Sequence, residues 1–180
     1  PGFSKFIELI QKRKDKPVIF SREYQSIKNS RKLFGIYATN VLVPDVVLSW
    51  DINSYMDKYN IQHMGGEKTL FINRNDRERI ETKTFTYDLK SDWEQMIKRP
   101  DYASEYLRCA EWESNVKDRL ICDTIKWVDQ YQKVYSNRMH GAILAWLLGK
   151  ETYLINNSYG KSKSLYETWL LDAEKFKMIE

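Results

Sequence analysis

The chain holds two cysteines, two histidines, four prolines and seven glycines in 180 residues, and each scarcity removes a class of protein. Cys109 and Cys122 form no CxxC pair and have no ligand spacing, which argues against a disulfide framework and for free thiols in a reducing compartment. His63 and His140 have no third nitrogen or thiol at ligand spacing, so no metal centre is expected and metal-independent chemistry is. No stretch approaches eighteen consecutive apolar residues, and the opening PGFSKFIELIQKRKDK carries no cleavable leader pattern. A soluble, cytoplasmic protein is therefore expected. There is no GxGxxG, no GxxxxGK followed by Ser or Thr, no HExxH, no GxSxG and no DxD, so the usual dinucleotide, nucleotide, zinc-protease and serine-hydrolase fingerprints are all missing.

What is present suffices for a folded core: 42% hydrophobic and 14% aromatic residues can bury one domain, taken here as residues 1–180. Lys and Arg number 29 against 25 Asp and Glu. That excess favours anionic small molecules or an anionic lipid surface, and without dense basic stripes it does not suggest a nucleic-acid partner.

Apolar periodicity orders the elements. Phe3, Phe6, Ile7 and Ile10 predict an amphipathic helix, residues 17–21 a strand, and residues 22–36 a helix stopped near Gly35. Pro44 and Asp45 break a strand in NVLVPDVVLSWDI, Tyr55 to Glu67 reads as loop, and residues 68–74 read as strand. Thr84 to Tyr87 is a weak strand candidate, Asp88 to Lys98 looks helical, and Ala103 to Tyr131 predicts one long helix or two broken ones. Then come the strand VYS, a helix from Arg138 to Leu148 stopped by Gly149, the strand TYLIN and a helix through Trp169. This alternation predicts an α/β fold, a Rossmann-like mainly parallel sheet with helices on both faces.

In such folds ligands bind beyond the carboxyl ends of the strands, where helix N-termini carry free amides. Ser136 and Asn137 are N-cap candidates that would put Arg138 and His140 in the first helical turn. A cation there opposes the helix dipole by roughly 0.3–1 kcal/mol, so Arg138 calls for an anion. The plainer alternative is an Arg138 paired with a surface carboxylate and a His140 satisfied in the core. Gly141 would let the backbone approach a ligand, or would simply allow close helix–strand packing. Lys161, in the loop after the last predicted strand, belongs on the same rim, as do Arg22 at the first βα junction and Arg74 at the end of KTLFINR. Against these stand an ordinary exposed Lys161, a structural Arg22–Glu23 pair, and a solvated run of Arg74, Arg77 and Arg79. Trp146 and Trp169 read as core or lid.

RMHGAILAWLLGK and NNSYGKSKSLYETWL, with REYQS at residues 22–26, VPD at 43–45 and NRND at 73–76, resemble in order the motifs of the polysaccharide pyruvyl transferase family. The resemblance covers most of the chain. It implies a cytoplasmic enzyme of exopolysaccharide or cell-wall assembly, peripheral at the inner membrane face, that uses phosphoenolpyruvate to place a pyruvyl ketal on a sugar acceptor, lipid-linked or not. Phosphoenolpyruvate is then a donor substrate, and no cofactor is expected. The family's two lobes adopt a glycosyltransferase-B-like arrangement; this chain resembles the C-terminal lobe, with the N-terminal lobe absent from it, and activity of these residues alone is not implied. The resemblance gives Arg138, Lys161, Arg22 and Arg74 the donor's anionic groups and His140 the proton. Two alternatives stay open: a nucleotide-sugar glycosyltransferase lobe, and a non-catalytic binding or scaffold module.

Overall fold

A computed structural model describes residues 2–77, 85–92, 95 and 116–179. In helix α1 (Gly2–Gln11) Ile7 and Ile10 are half-buried, and the exposed Phe6 meets Phe34 edge-on at 6.1 Å. Strand β1 (Val18–Ser21) runs parallel to β2 (Thr39–Leu42), with helix α2 (Tyr24–Phe34) between them in sequence. Gly35, at φ +48°, ends α2 in a conformation that a side chain would strain. After β2, Pro44 is followed by a 3-10 turn (Val46–Ser49) whose first free amide, Val47 N, donates to the Asp45 carboxylate.

The main sheet has five strands, all paired in parallel, in the order β4–β3–β5–β6–β7: β3 (Lys68–Ile72), β4 (Leu89–Ser91), β5 (Tyr131–Ser136), β6 (Glu151–Ile155) and β7 (Phe176–Ile179). Helices α3 (Ile52–Lys58), α4 (Lys117–Asp129), α5 (Met139–Leu147) and α6 (Lys161–Trp169) complete the described elements. Strand alternation sorts the side chains. Leu70, Ile72 and Val134 join Ile125, Val128, Leu144 and Ala145 in one apolar cluster, while Leu154 joins Ile143, Leu165 and Phe176 in another. From the neighbouring positions Tyr135 and Tyr153 stack at 4.8 Å, and Phe85 lies on Tyr135 at 4.1 Å. This is the expected Rossmann-like arrangement, a parallel sheet flanked by helices.

Several expectations need correction. α3 covers Ile52–Lys58, so residues 55–58 are helical where the loop from Tyr55 to Glu67 was expected: Asp51 caps the helix by accepting from Ser54 N, and Ile52 and Met56, one turn apart, are both buried. Residues 89–91 form β4 where a helix was expected, so strand pairing with β3 outweighs local propensity. β5 begins at Tyr131, three residues before VYS, and β7 had no counterpart in the sequence reading. β1 and β2 pair with each other in a separate two-stranded sheet and add no strand to the larger one. Cys109, Arg79, Thr84 and the anticipated helix across 103–115 lie outside the described residues.

Candidate functional site

β3, β5 and β6 pair in parallel, in continuous register from Thr69 and Lys133 onward, so their carboxyl ends lie at one edge. Ser136, fully buried at the end of β5, uses Oγ both to accept from Arg138 N at 3.0 Å and to donate to Arg138 O at 2.7 Å, which forms the turn into α5. Asn137, also buried, accepts from Arg74 N at 2.6 Å and donates to Asn73 Oδ1 at 3.2 Å, tying the ends of β3 and β5 together. Arg138 itself occupies the N-cap position of α5. Ser136 and Asn137 are therefore turn-building residues, a correction to their expected role as caps. A Cβ on Gly141 would stand 3.1 Å from Ser136 Oγ and 3.2 Å from Ile72 Cδ1, so this glycine serves close helix–strand packing.

On this frame Arg22, Arg74, Arg138, His140 and Lys161 line a single cavity of about 280 Å³, together with Met139, Asn157 and Ser162. All four anticipated cations and the anticipated imidazole come together. The His140 side chain is 47% exposed, far from a core histidine. Lys161 opens α6 and is exposed at the same rim. Asn157, buried beneath it, accepts from Lys161 N at 2.8 Å and satisfies the helix end that Gly160, at φ +74°, leads into.

Three carboxylates that the sequence reading had not singled out hold the arginines. Asp92, buried just past β4, accepts from Arg138 Nε at 3.0 Å and Nη2 at 2.8 Å, a two-point grip that fixes the guanidinium plane. Asp76 lies 2.8 Å from Arg74 Nε and 3.3 Å from Arg138 Nη1. Asp45, its side chain only 6% exposed, accepts from Arg22 Nη1 at 2.6 Å through the same oxygen that lies 3.2 Å from His140 Nε2. Burial works to raise the Asp45 carboxyl, but the His140 contact, the Val47 amide and Arg22 outweigh it and hold the group below the ordinary carboxylate range. Asp45 and Asp76 were within reach as the last residues of VPD and NRND. Asp92 carried no signal, because its strand was read as helix.

Glu23 does not form the structural pair with Arg22 that was weighed against a site role. It caps α2, accepting from Gln25 N at 2.7 Å and from Ser26 N, and it also accepts from the Ser164 hydroxyl of α6. Burial pushes its carboxyl up, and these hydroxyl and amide donors more than reverse the effect. Trp169 Nε1 donates to Arg22 O at 2.7 Å, and Tyr24 N donates to Thr168 Oγ1 at 3.1 Å. The β1–α2 junction is thus pinned to α6, which carries Arg22 of the small sheet to the edge of the large one. Trp146 lies elsewhere, donating to Glu174 O and meeting Phe176 edge-on. Among the described residues no three His, Cys, Asp or Glu side chains group in a way that could hold a metal ion, and no helix is long and apolar enough to cross a membrane.

The chain is thus a parallel α/β lobe with a cation-lined cavity beyond its strand ends, the edge at which ligands bind in open α/β sheets. The chain belongs to the polysaccharide pyruvyl transferase family, whose model matches residues 6–159. It is 35% identical over 69 residues to the Bacillus subtilis (strain 168) protein named "Putative pyruvyl transferase EpsO", an alignment covering 38% of this chain and 21% of that one. It is 24% identical over 164 residues to General stress protein 30 of the same organism, covering 90% of this chain and 44% of the other. The crystal structure of the uncharacterized protein KP1_0663 from Klebsiella pneumoniae subsp. pneumoniae NTUH-K2044 superposes with a TM-score of 0.58 at 23% identity, over 97% of this chain and 59% of that one, and shows the fold. The alignments thus cover less than half the length of either curated relative.

Proposed function

We propose that this chain forms the donor-binding part of an enzyme that moves a pyruvyl group from phosphoenolpyruvate to a sugar of an exopolysaccharide or cell-surface glycan, leaving a cyclic ketal. The observation that carries the reading is the convergence of Arg22, Arg74, Arg138, Lys161 and His140 on one cavity in a member of this family. Phosphoenolpyruvate presents a carboxylate and a phosphate a few bonds apart, so it needs several fixed cations within a small space. Arginine grips either group through paired N–H donors, and lysine acts as a mobile point charge. A volume of about 280 Å³ accommodates a three-carbon donor.

In this reading Arg138, held flat by Asp92, and Arg74 take one anionic group, and Arg22 and Lys161 take the other. The π electrons of the enol capture a proton from His140, turning the methylene into a methyl and leaving the central carbon cationic. A sugar hydroxyl bonds to that carbon and returns its proton to His140. A second hydroxyl then closes the ring as the C–O bond to phosphate breaks, and its proton leaves with the phosphate. An imidazole can both give and take up a proton near neutrality, which the two transfers require. Asp45 orients the ring by holding Nε2, so it is a positioning residue.

Phosphate release from phosphoenolpyruvate in the presence of a glycan acceptor, measured in the protein and in His140→Ala, tests the assignment. The variant should lose about 100- to 10,000-fold in kcat while donor affinity changes little. Normal turnover by a folded His140→Ala protein would overturn the role of the imidazole.

A further inference from the structure

The turn from β6 into α6 holds two buried polar groups that the fold does not use. Asn157 is 4% exposed and Ser162 3%, and both line the cationic cavity. The Asn157 side chain is oriented by its oxygen: Oδ1 accepts from Lys161 N at 2.8 Å and from Ser162 N at 3.4 Å. Its backbone is also committed, the amide donating to Asn156 Oδ1 and the carbonyl accepting from Gly160 N. Nδ2 is therefore the end turned away from the helix. Among the described residues Nδ2 donates to nothing, and neither does the Ser162 hydroxyl, yet neither atom is sealed in, so both are open to the cavity. A polar group in a nearly buried side chain is costly to keep without a partner, and a ligand in the cavity would supply one.

From this geometry we infer that Asn157 and Ser162 are binding residues which, with Lys161 and Arg22, seat the donor's phosphate at the α6 end of the cavity and leave its carboxylate to Arg138. The two anions sort by shape. A carboxylate offers two oxygens in one plane, the arrangement a guanidinium matches, and Asp92 holds the Arg138 guanidinium in a fixed plane. A phosphate is tetrahedral and presents three outer oxygens in different directions, so it needs donors from more than one side. The α6 end supplies a planar amide, a rotatable hydroxyl, a mobile ammonium and a guanidinium, carried by two separate segments of chain. The helix adds to the effect. Lys161 and Ser162 are its first two residues, so its positive dipole end lies at this part of the cavity. The two N–H bonds into Oδ1 also polarise the Asn157 amide and strengthen Nδ2 as a donor.

The inference rests on the proposed donor reading only for the phosphate being part of phosphoenolpyruvate. Inorganic phosphate, titrated into the protein and followed by phosphorus NMR, therefore tests the seat without the donor. Ser162→Ala removes a hydroxyl that holds nothing in the fold, so the unfolding temperature should not fall, while the Kd for inorganic phosphate should rise about tenfold or more. Asn157→Asp keeps an oxygen for Lys161 N and Ser162 N but replaces the donor with an anion, and it should abolish phosphate binding. Pyruvate, which has the carboxylate without the phosphate, should bind, or fail to bind, the parent protein and Ser162→Ala alike. Inorganic phosphate that binds Ser162→Ala as tightly as the parent protein, or that binds no form of the protein, would overturn the seat, as would a loss of pyruvate affinity in Ser162→Ala. Inorganic phosphate binding that depends on Ser162, in a parent protein that binds no phosphoenolpyruvate, would overturn the donor reading and leave the seat standing. Phosphoenolpyruvate bound equally by the parent protein and Ser162→Ala would overturn the seat and leave the donor reading standing.

Discussion

At the scale of single residues, carboxylates decide how the basic groups are used. Asp129 shows this away from the cavity. Fully buried at the end of α4, it lies 2.7 Å from Lys150 Nζ and 3.2 Å from His63 Nδ1, and it accepts from Met64 N at 2.6 Å. Burial raises its carboxyl, and Lys150, the Met64 amide and His63 reverse this, so the folded value lies below the ordinary one. A group depressed in this way stabilises the fold fully above its unfolded value of about 3.9, and that contribution fades as pH falls through the lower folded value. Titration of Asp129 should therefore leave the urea midpoint independent of pH above about pH 5 and lower it below about pH 4, with Asp129→Asn flattening the drop. Asp129→Ala leaves Lys150 buried without its anion and should cost about 3–5 kcal/mol in urea unfolding at neutral pH. In the cavity, Asp45→Asn keeps the shape of the anchor and removes its charge. It should lower kcat and raise the KM for donor, because Arg22 and His140 lose the carboxylate that both of them contact.

At the scale of elements, caps and close approaches set where chain segments sit. Asp51→Ala removes the acceptor for Ser54 N and should destabilise the protein by about 1 kcal/mol in denaturant titration. Gly66 packs so closely on the end of α4 that a Cβ would fall 1.9 Å from Gln130 O. Gly66→Ala should therefore lower the urea midpoint more than Asp51→Ala does, and an unchanged midpoint would show that the 61–67 segment moves aside freely. The elements that were legible beforehand are those whose apolar period runs long or ends on a glycine: α2 stopped by Gly35, α5 stopped by Gly149, and β3 with its run LFI. α3 was missed because only Ile52 and Met56 mark its inner face, although Asp51 and Ser54 spell out its cap. β4 and β7 are three and four residues long and owe their existence to parallel neighbours, which no local pattern records.

At the scale of the whole molecule, the cavity assembles from β1, β3, β5, α5 and α6, elements scattered from residue 18 to residue 169. Its basic side chains could be anticipated because each follows a strand, and in a parallel sheet all strand ends share one edge. The acidic partners could not be weighted the same way. Asp92 depends on β4 lying beside β3, and Asp45 depends on the small sheet being pinned to α6 through Glu23 and Trp169. Because Lys161 is exposed while Arg138 is held by buried Asp92, raising ionic strength should weaken donor binding chiefly through the outer cation. The salt dependence of the donor Kd should thus be shallower in Lys161→Ala than in the parent protein, measured between low and physiological salt.

The central claim is that this cation-lined edge holds a small molecule bearing both a carboxylate and a phosphate. Isothermal titration of the protein with phosphoenolpyruvate, set against uridine diphosphate glucose, tests it most directly. The account predicts saturable binding of phosphoenolpyruvate that Arg138→Ala and Lys161→Ala each weaken, and no comparable binding of the nucleotide sugar. Preferential binding of the nucleotide sugar, or phosphoenolpyruvate binding untouched by both substitutions, would contradict it.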